Sequence, residues 1–266
     1  MFSAKGTYPA VGLFSIPHIV SIAICFLLVF LLVVFSREMS KERFIKYLRL
    51  ITVVTTILEV FKTLWTLSHG YTNVDSWVPL YFCSGFTFAL WMTWSSKDLV
   101  RDIGFAYIVF GCTVAGIAFI IFPTTSFTSY PIFHFKCIYS MLYHSAMVYV
   151  SIMAFITKIS KINLKLVAKY ILFCLVFEAL GLIVNWLFGG NMMFLSNPNN
   201  IPIEALHIIY GISPALYTGV VAIAHMLLGP VIYLIYKLVS KLLPNKSKKI
   251  VSCIDVDTDE IGEREI

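Results

Sequence analysis

Long apolar stretches of about 17–23 residues recur along the whole chain, and they restrict its fold more than any other feature. A helix of about 20 residues crosses a hydrocarbon core of about 30 Å, whereas a barrel strand needs only about 9–11 residues. Lipid permits only helices and closed barrels, so the lengths indicate helices. The sequence predicts an all-α polytopic membrane protein with a bundle of seven transmembrane helices, over residues 14–35, 47–68, 78–94, 103–122, 138–157, 167–188 and 215–236.

The composition favours lipid over water as the solvent of this chain. Hydrophobic residues make up 59% of the 266 residues and charged residues 13%, with a mean hydropathy of +0.86. Soluble globular proteins are about 45–50% apolar and about 25% charged. We therefore expect an integral, multi-pass membrane protein whose partners are membrane lipids. The net charge of +6 is interpreted as a topology signal and not as a nucleic-acid surface.

Basic residues alternate from one loop to the next. Seventeen of the 20 Lys and Arg residues lie in the loops after the first, third and fifth predicted spans, at the edges of those loops, or after the last span. The positive-inside rule then predicts an N-terminus outside and a C-terminus in the cytosol. We expect residues 1–240 to form the transmembrane domain and residues 241–266 to form a disordered cytosolic tail. The two predicted outer loops, 122–136 and 189–214, are apolar and can cover the outer end of the bundle.

Polar side chains inside the predicted spans are the functional candidates, because ionisable groups in lipid are costly. At about 1.5 Å per residue, Cys83, His144, Asn185 and Lys62 all fall within roughly 10 Å of the outer boundary. The sequence therefore predicts one polar pocket in the outer half of the bundle, with Glu178 lying deeper. The six cysteines include no CxxC pair, so we predict no metal site and no cofactor.

Each candidate also has a purely structural interpretation. Glu59 and Lys62 are three residues apart and can neutralise each other, and Cys83 can be a buried thiol or can form a disulfide with Cys137. Hydrogen bonding between helices can explain the polar residues His144, Asn185 and His225. Glu178 has no partner that the sequence identifies.

A thiol and an imidazole at the same depth can support nucleophilic chemistry. A histidine within hydrogen-bond reach favours the reactive thiolate. Attack on a lipid ester would give an acyl-thioester, which a second lipid hydroxyl or water could then cleave. Phospholipid esters lie near the membrane interface, and the predicted depth of Cys83 and His144 matches that position.

Three short motifs resemble the YwaF-like integral membrane family, which includes transmembrane protein 164. The segment Pro79-Leu80-Tyr81-Phe82-Cys83-Ser84 resembles the family's PLHLC motif. The segment Asn191-Met192-Met193-Phe194-Leu195, followed by Pro198, resembles its NYMFL…P motif, and the stretch from Phe122-Pro123 through Phe133 to His144-Ser145 resembles its FP…F…SHG motif. The motifs occur in the family's order over most of residues 78–215.

The resemblance implies seven helices and, for the eukaryotic members, acyltransferase chemistry on phospholipids. It implies that Cys83 is the nucleophile and makes His144 the candidate base. The sequence departs from the family at Tyr81, where the motif has histidine, and in the Asn191 motif, where Met192 replaces tyrosine. We predict that Lys62, Asn185, Glu178, Tyr81 and Asn191 line the pocket.

Two other functions stay open as alternatives. The intramembrane charges can line the path of a transporter or channel for a small solute or ion, although the sequence has no internal repeat and no interrupted pair of spans. A receptor or photoreceptor is disfavoured, because the seventh predicted span has no lysine for a retinal Schiff base.

Overall fold

Helices connected by short loops form the whole described part of the molecule. The computed structural model describes residues 1–199 and 201–242, and every regular element within them is helical. The α-helices are α1 (Ile16–Ser36), α2 (Lys41–Ser68), α3 (Val74–Trp77), α4 (Gly85–Met92), α5 (Asp98–Ile121), α6 (Phe135–Ile156), α7 (Leu164–Phe188), α8 (Glu204–Ile212) and α9 (Pro214–Leu242). Two short 3-10 turns cover Phe82–Ser84 and Met192–Phe194.

Six of the predicted spans correspond to long helices, namely α1, α2, α5, α6, α7 and α9. Five of these helices are long and apolar enough to cross a membrane: Ile16–Ser36, Asp98–Ile121, Phe135–Ile156, Leu164–Phe188 and Pro214–Val239. Helix α2 contains the second predicted span but carries Glu59 and Lys62, and it is not among the five. The total of seven crossings and the orientation of the termini stay predictions.

The third predicted span, residues 78–94, is not one helix, and on this point the prediction is wrong. The short helix α3 ends at Trp77, Val78 and Tyr81 are extended, and α4 begins only at Gly85. Pro79 accounts for the interruption, because proline lacks an N–H group and disfavours helical geometry in the preceding residue. The eight residues of α4 rise only about 12 Å. Residues 81–84 are named the unwound segment below.

Short polar residues define where the long helices begin. The side chains of Ser15, Ser40 and Asn163 accept hydrogen bonds from the first backbone N–H groups of α1, α2 and α7. Such caps satisfy donors that a helix leaves unpaired. Helix α7 ends at Gly189, whose positive φ of 67° allows the chain to turn there.

Helix α5 is the centre of the bundle and the most buried of the five candidate spans. It packs against α4, α6, α7 and α9. A Cβ atom added to Gly104 would lie 2.6 Å from the Ala89 carbonyl oxygen of α4. One added to Gly116 would lie 2.8 Å from the His144 carbonyl oxygen of α6. Small residues of this kind allow helix backbones to approach closely in lipid.

The replacement Gly104→Ala is therefore expected to destabilise the protein by about 1–3 kcal/mol, because the new methyl group meets backbone that cannot move aside. Thermal unfolding in detergent would measure the change. The control is Gly219→Ala on α9, where nothing lies within 4 Å of the added atom; it should be neutral or stabilising. Equal unfolding temperatures for the two variants would contradict this packing argument.

The N-terminal segment lies across the end of the bundle opposite the basic loops. Backbone N–H groups of Val11 and Gly12 donate to the carbonyl groups of Tyr130 and Phe127 at 3.1 and 3.0 Å. The His134 ring accepts a hydrogen bond at Nδ1 from the Lys136 backbone N–H, and its Nε2 lies 3.0 Å from the Ser3 carbonyl oxygen. Because a carbonyl only accepts, Nε2 carries the proton and the ring is neutral.

Acidification is expected to loosen this N-terminal segment. Burial lowers the pKa of His134 below its ordinary value of 6.5. The neutral ring therefore stabilises the segment fully above pH 6.5. This stabilisation decreases as the pH falls below 6.5, and it is lost as the pH falls through the lowered pKa of His134. Hydrogen exchange of the backbone N–H groups of residues 1–12, corrected for intrinsic rates, would measure this loosening. In His134→Asn, which keeps a capping side chain but does not titrate, the exchange should lose this pH dependence; an unchanged profile would exclude His134 as its cause.

The apolar part of the 189–214 loop packs into the bundle. Met192, Met193 and Leu195 are fully buried, and hydroxyl groups of Tyr217 and Thr218 on α9 donate to the carbonyl groups of Phe194 and Leu195. The loop is thus part of the core and not only a cover. The predicted tail, residues 241–266, lies outside the described residues except for 241 and 242, which end α9, and its disorder stays a prediction.

Candidate functional site

The unwound segment is held by tyrosine hydroxyls from two neighbouring helices. The Tyr107 hydroxyl of α5 donates to the Phe82 carbonyl, and the Tyr143 hydroxyl of α6 donates to the Cys83 carbonyl at 3.3 Å. The Gly85 N–H also donates to both carbonyl groups at the turn into α4. The two tyrosines add donors from neighbouring helices and so join the segment to α5 and α6.

Cys83 is a free, partly exposed thiol on this segment. The other described cysteines (25, 112, 137 and 174) are also free but are buried. Cys137 lies in a separate apolar cluster and contacts the Tyr130 carbonyl, so the structure does not contain the Cys83–Cys137 disulfide considered above.

The Glu59–Lys62 pair forms inside α2. Lys62 Nζ lies 2.7 Å from Glu59 Oε1 and 2.5 Å from Oε2. The Tyr139 hydroxyl of α6 donates to Glu59 Oε2 at 3.0 Å. The sequence interpretation of these two charges as a neutralising pair therefore matches the geometry, and Tyr139 joins the pair to α6.

His144 is buried and makes its contacts away from the unwound segment. Its Nδ1 donates to the Ser140 carbonyl at 2.7 Å, and its ring stacks on Phe119 with 3.7 Å between ring centres. Its Nε2 is buried and has no hydrogen-bond partner. With the proton on Nδ1, Nε2 holds the free lone pair that a general base requires.

Tyr143 is the residue that contacts both Cys83 and His144. Its ring lies 5.4 Å from the His144 ring, edge to face, while its hydroxyl binds the Cys83 carbonyl. No hydrogen bond joins the Cys83 side chain to His144 in the described part of the chain. The catalytic roles of Cys83 and His144 stay predictions.

Glu178, for which the sequence identified no partner, pairs with His225. Their Oε1 and Nδ1 atoms lie 3.2 Å apart, between α7 and α9. The Phe82 ring of the unwound segment stacks on His225 with 4.7 Å between ring centres and an angle of 8°. Glu178 is therefore joined to the unwound segment through His225.

Asn185 and Asn191 hold the loop that follows α7. Asn185 Oδ1 accepts from the Met192 N–H at 2.6 Å, and its Nδ2 donates to the Met192 carbonyl at 3.1 Å. Asp75 accepts from the Asn191 N–H at 2.6 Å. The Tyr81 ring packs against Phe194 of the same loop at 5.4 Å. These candidates are therefore joined to the unwound segment through loop contacts.

The structure thus divides the predicted single pocket into three polar groups around one segment. Sequence reasoning missed Tyr107, Tyr139, Tyr143 and Asp75. The spacing of Tyr139 and Tyr143, four residues apart on one helix face, was an available signal. Among the described residues, no three His, Cys, Asp or Glu side chains are placed to hold a metal ion.

Fold and site together define a class, a polytopic helical membrane protein with an interrupted helix around a free thiol. The model of the TMEM164 family matches residues 13–236. The chain belongs to this family and is an integral, multi-pass membrane protein, which confirms the resemblance noted from its motifs. Neither a curated protein nor a solved structure matches the chain.

Removing the Tyr143 hydroxyl is expected to release the unwound segment. Tyr143→Phe leaves the Cys83 carbonyl without this donor, at a cost of about 1–3 kcal/mol, and alkylation of Cys83 by a small thiol reagent should become faster. Mass spectrometry in a Cys253→Ser background would measure the rate. The control is Tyr47→Phe, because Tyr47 is exposed on α2. If both variants are labelled at the wild-type rate, the hydroxyl does not hold the segment.

Proposed function

We propose that this protein is an acyltransferase that moves acyl chains between phospholipids, with Cys83 as the nucleophile and His144 as the base. The observation that carries the proposal is the position of the thiol. Cys83 is free and partly exposed, and it lies where a membrane segment is unwound. Cys83 packs against the edge of the main apolar core, and a lipid ester would reach it there from the side of the unwound segment.

A lateral crevice supplies a path for an acyl chain. It has a volume of about 310 Å³ and lies between α2 and α4. Its walls are mostly apolar, and Thr87 in its lining lies 2.9 Å from the Tyr143 hydroxyl, which binds the Cys83 carbonyl. Ligand pockets commonly combine apolar walls with a few polar groups and begin at about this volume. Pro79, four residues before Cys83, also lines the crevice.

The proposed reaction has two balanced steps. His144 Nε2 takes the proton of the Cys83 thiol, and the thiolate attacks the ester carbonyl of a phospholipid. The ester C–O bond breaks, the leaving alkoxide takes the proton from the imidazolium, and an acyl-thioester and a lysophospholipid result. In the second step the hydroxyl of another lysophospholipid gives its proton to His144 and attacks the thioester carbonyl. The C–S bond breaks, and the leaving thiolate takes the proton from the imidazolium, which restores the Cys83 thiol and the neutral His144.

Proton transfer requires the Cys83 thiol and His144 Nε2 to come within hydrogen-bond reach, and Tyr143 contacts both residues. Catalytic hydrogen bonds often form only when the substrate is bound. An acyl chain in the crevice would displace Thr87 from the Tyr143 hydroxyl, because Thr87 forms part of the crevice wall. The Ser140 carbonyl meanwhile keeps the His144 proton on Nδ1, so that Nε2 can act as the base.

The proposed topology has seven crossing segments with the N-terminus outside. Six crossings are helices, and the seventh runs through the unwound segment and α4. The 3-10 turn and the eight residues of α4 together rise about 18 Å, and residues 78–81, which turn at Pro79 where the Leu80 N–H binds the Val78 carbonyl, would supply the rest of the crossing. The basic loops then all face the cytosol. Glycosylation sites introduced into loop 122–134 would be modified in this orientation and unmodified in the reverse one.

The chemical proposal is tested with acyl exchange between phospholipids in proteoliposomes, measured by mass spectrometry of a labelled acyl chain. Cys83→Ala should abolish exchange, and His144→Gln should lower it about 10²–10⁴-fold, the usual contribution of a general base. The wild-type protein should carry an acyl group on Cys83 that hydroxylamine removes. Cys137→Ala, which removes a free thiol from a different cluster, should keep wild-type turnover. Wild-type exchange by Cys83→Ala would overturn the proposal.

Transport is the second candidate, and the unwound segment favours it. Many transporters bind solutes at interrupted helices near the membrane centre, and the Glu178–His225 pair lies against this interruption. A transporter should lose or change flux in Glu178→Gln while keeping it in Cys83→Ala. An acyltransferase should instead lose acyl exchange in Cys83→Ala and keep it in Glu178→Gln.

A further inference from the structure

A large cavity opens at the end of the bundle that carries the basic loops, opposite the N-terminal segment. Its volume is about 750 Å³. It is lined by α2, by the connection from α4 to α5, by α5 itself, and by the connection from α6 into α7. It is separate from the unwound segment and from the lateral crevice, so the inference below does not depend on the proposed function.

The lining of this cavity is strongly cationic. Among the described residues, one carboxylate, Asp102, lines it, and six basic side chains do so: Lys41, Arg49, Arg101, Lys161, Lys165 and Lys169. Asp102 is already paired with Lys169 at 2.6 Å, and Arg101 pairs with Asp98. A cavity with this excess of positive charge concentrates anions.

Three of the cations form no ion pair within the described residues. These are Lys41, Arg49 and Lys165. Arg49 instead lies over the Trp94 ring, 5.9 Å from its centre. Trp94 also lines the cavity, so the guanidinium is held in place beside it. Unpaired cations held near one another repel, and an anion bound among them would relieve that repulsion.

Helix dipoles add to the charge. Helix α2 begins at Lys41, α5 begins at Asp98, and α7 begins at Leu164. Residues in or beside the first turns of all three line the cavity, among them Lys41, Arg101 and Lys165. The N-terminal ends of helices carry partial positive charge and bind phosphate groups. Ser95 and Ser96 add hydroxyl donors to the same wall.

We propose that this basic cavity binds the phosphorylated headgroup of an anionic membrane lipid. The volume exceeds that needed for one inorganic phosphate, and three cations that form no ion pair within the described residues match a headgroup with more than one phosphate. The cavity lies where the helices end, at the level of lipid headgroups on the basic side of the bundle. Basic pockets between helices at this level are typical sites for such headgroups.

The test measures binding by the full-length protein in neutral phosphatidylcholine nanodiscs. The probes are a short-chain phosphatidylinositol bisphosphate, the soluble inositol trisphosphate and inorganic phosphate. The double variant Arg49→Gln/Lys165→Gln should bind the lipid about 10- to 30-fold more weakly. The control, Arg43→Gln/Lys46→Gln, removes the same charge from exposed positions of α2 outside the cavity and should change the affinity less than about threefold.

A variant that is expected to bind the lipid more tightly distinguishes a loss of binding contacts from misfolding. Asp102→Asn removes the one carboxylate in the lining and releases Lys169, so it should bind the lipid a few-fold more tightly, which a damaged protein would not do. Equal weakening in the two double variants would overturn the cavity as the site. If the soluble trisphosphate or inorganic phosphate bound as tightly as the lipid, the assignment to a lipid would be wrong and a soluble phosphate compound would be the ligand.

Discussion

The interior of this protein depends on tyrosine hydroxyls that bind main-chain carbonyl groups. Four such bonds are partly buried: Tyr107 to Phe82, Tyr143 to Cys83, Tyr170 to His225 and Tyr217 to Phe194. Two of the acceptors belong to the unwound segment, one lies in α9, and one lies in the loop after α7. Each bond joins the main chain of one element to a side chain of a neighbouring helix. The tyrosines thereby hold the elements of the bundle together.

The unwound segment connects the polar groups of the bundle. Tyr81 packs on the loop after α7, Phe82 stacks on His225, and Cys83 binds Tyr143 through its carbonyl. Each of these contacts leads to a different helix. A loop, the Glu178–His225 pair and helix α6 are thereby linked by three consecutive residues, and the close packing of α5 through Gly104 and Gly116 holds the surrounding helices at fixed distances.

Much of the fold was predictable because hydrophobic length is a local property of the sequence. Six long helices lie where apolar stretches predicted them, and the TMEM164 family was recognised from the motifs around Cys83, His144 and Asn191. The third span was missed because hydropathy averages over side chains and does not register a broken backbone. Pro79 indicated the break, but a proline also fits the first turn of a helix. The sequence alone does not distinguish a broken helix from a helix that begins at this proline.

The sequence predicts the residues of the candidate site better than it predicts their arrangement. Depth along each span placed Cys83, His144 and Lys62 at one level, but depth does not fix the direction in which a side chain points. The partner of Glu178 is 47 residues away in the chain, and only the packing of α7 on α9 reveals it. The tyrosines were overlooked because a neutral aromatic side chain within an apolar run resembles ordinary core.

The bonds that hold the unwound segment have a consequence for the divergence of the family. Tyr107 and Tyr143 bind main-chain atoms, so the path of the backbone does not depend on which side chains the segment carries. Substitutions at positions 81 and 82 can therefore accumulate without moving the thiol. The place of the sulfur is in this way set by the main chain and the two helices that hold it, while the side chains beside it are free to differ.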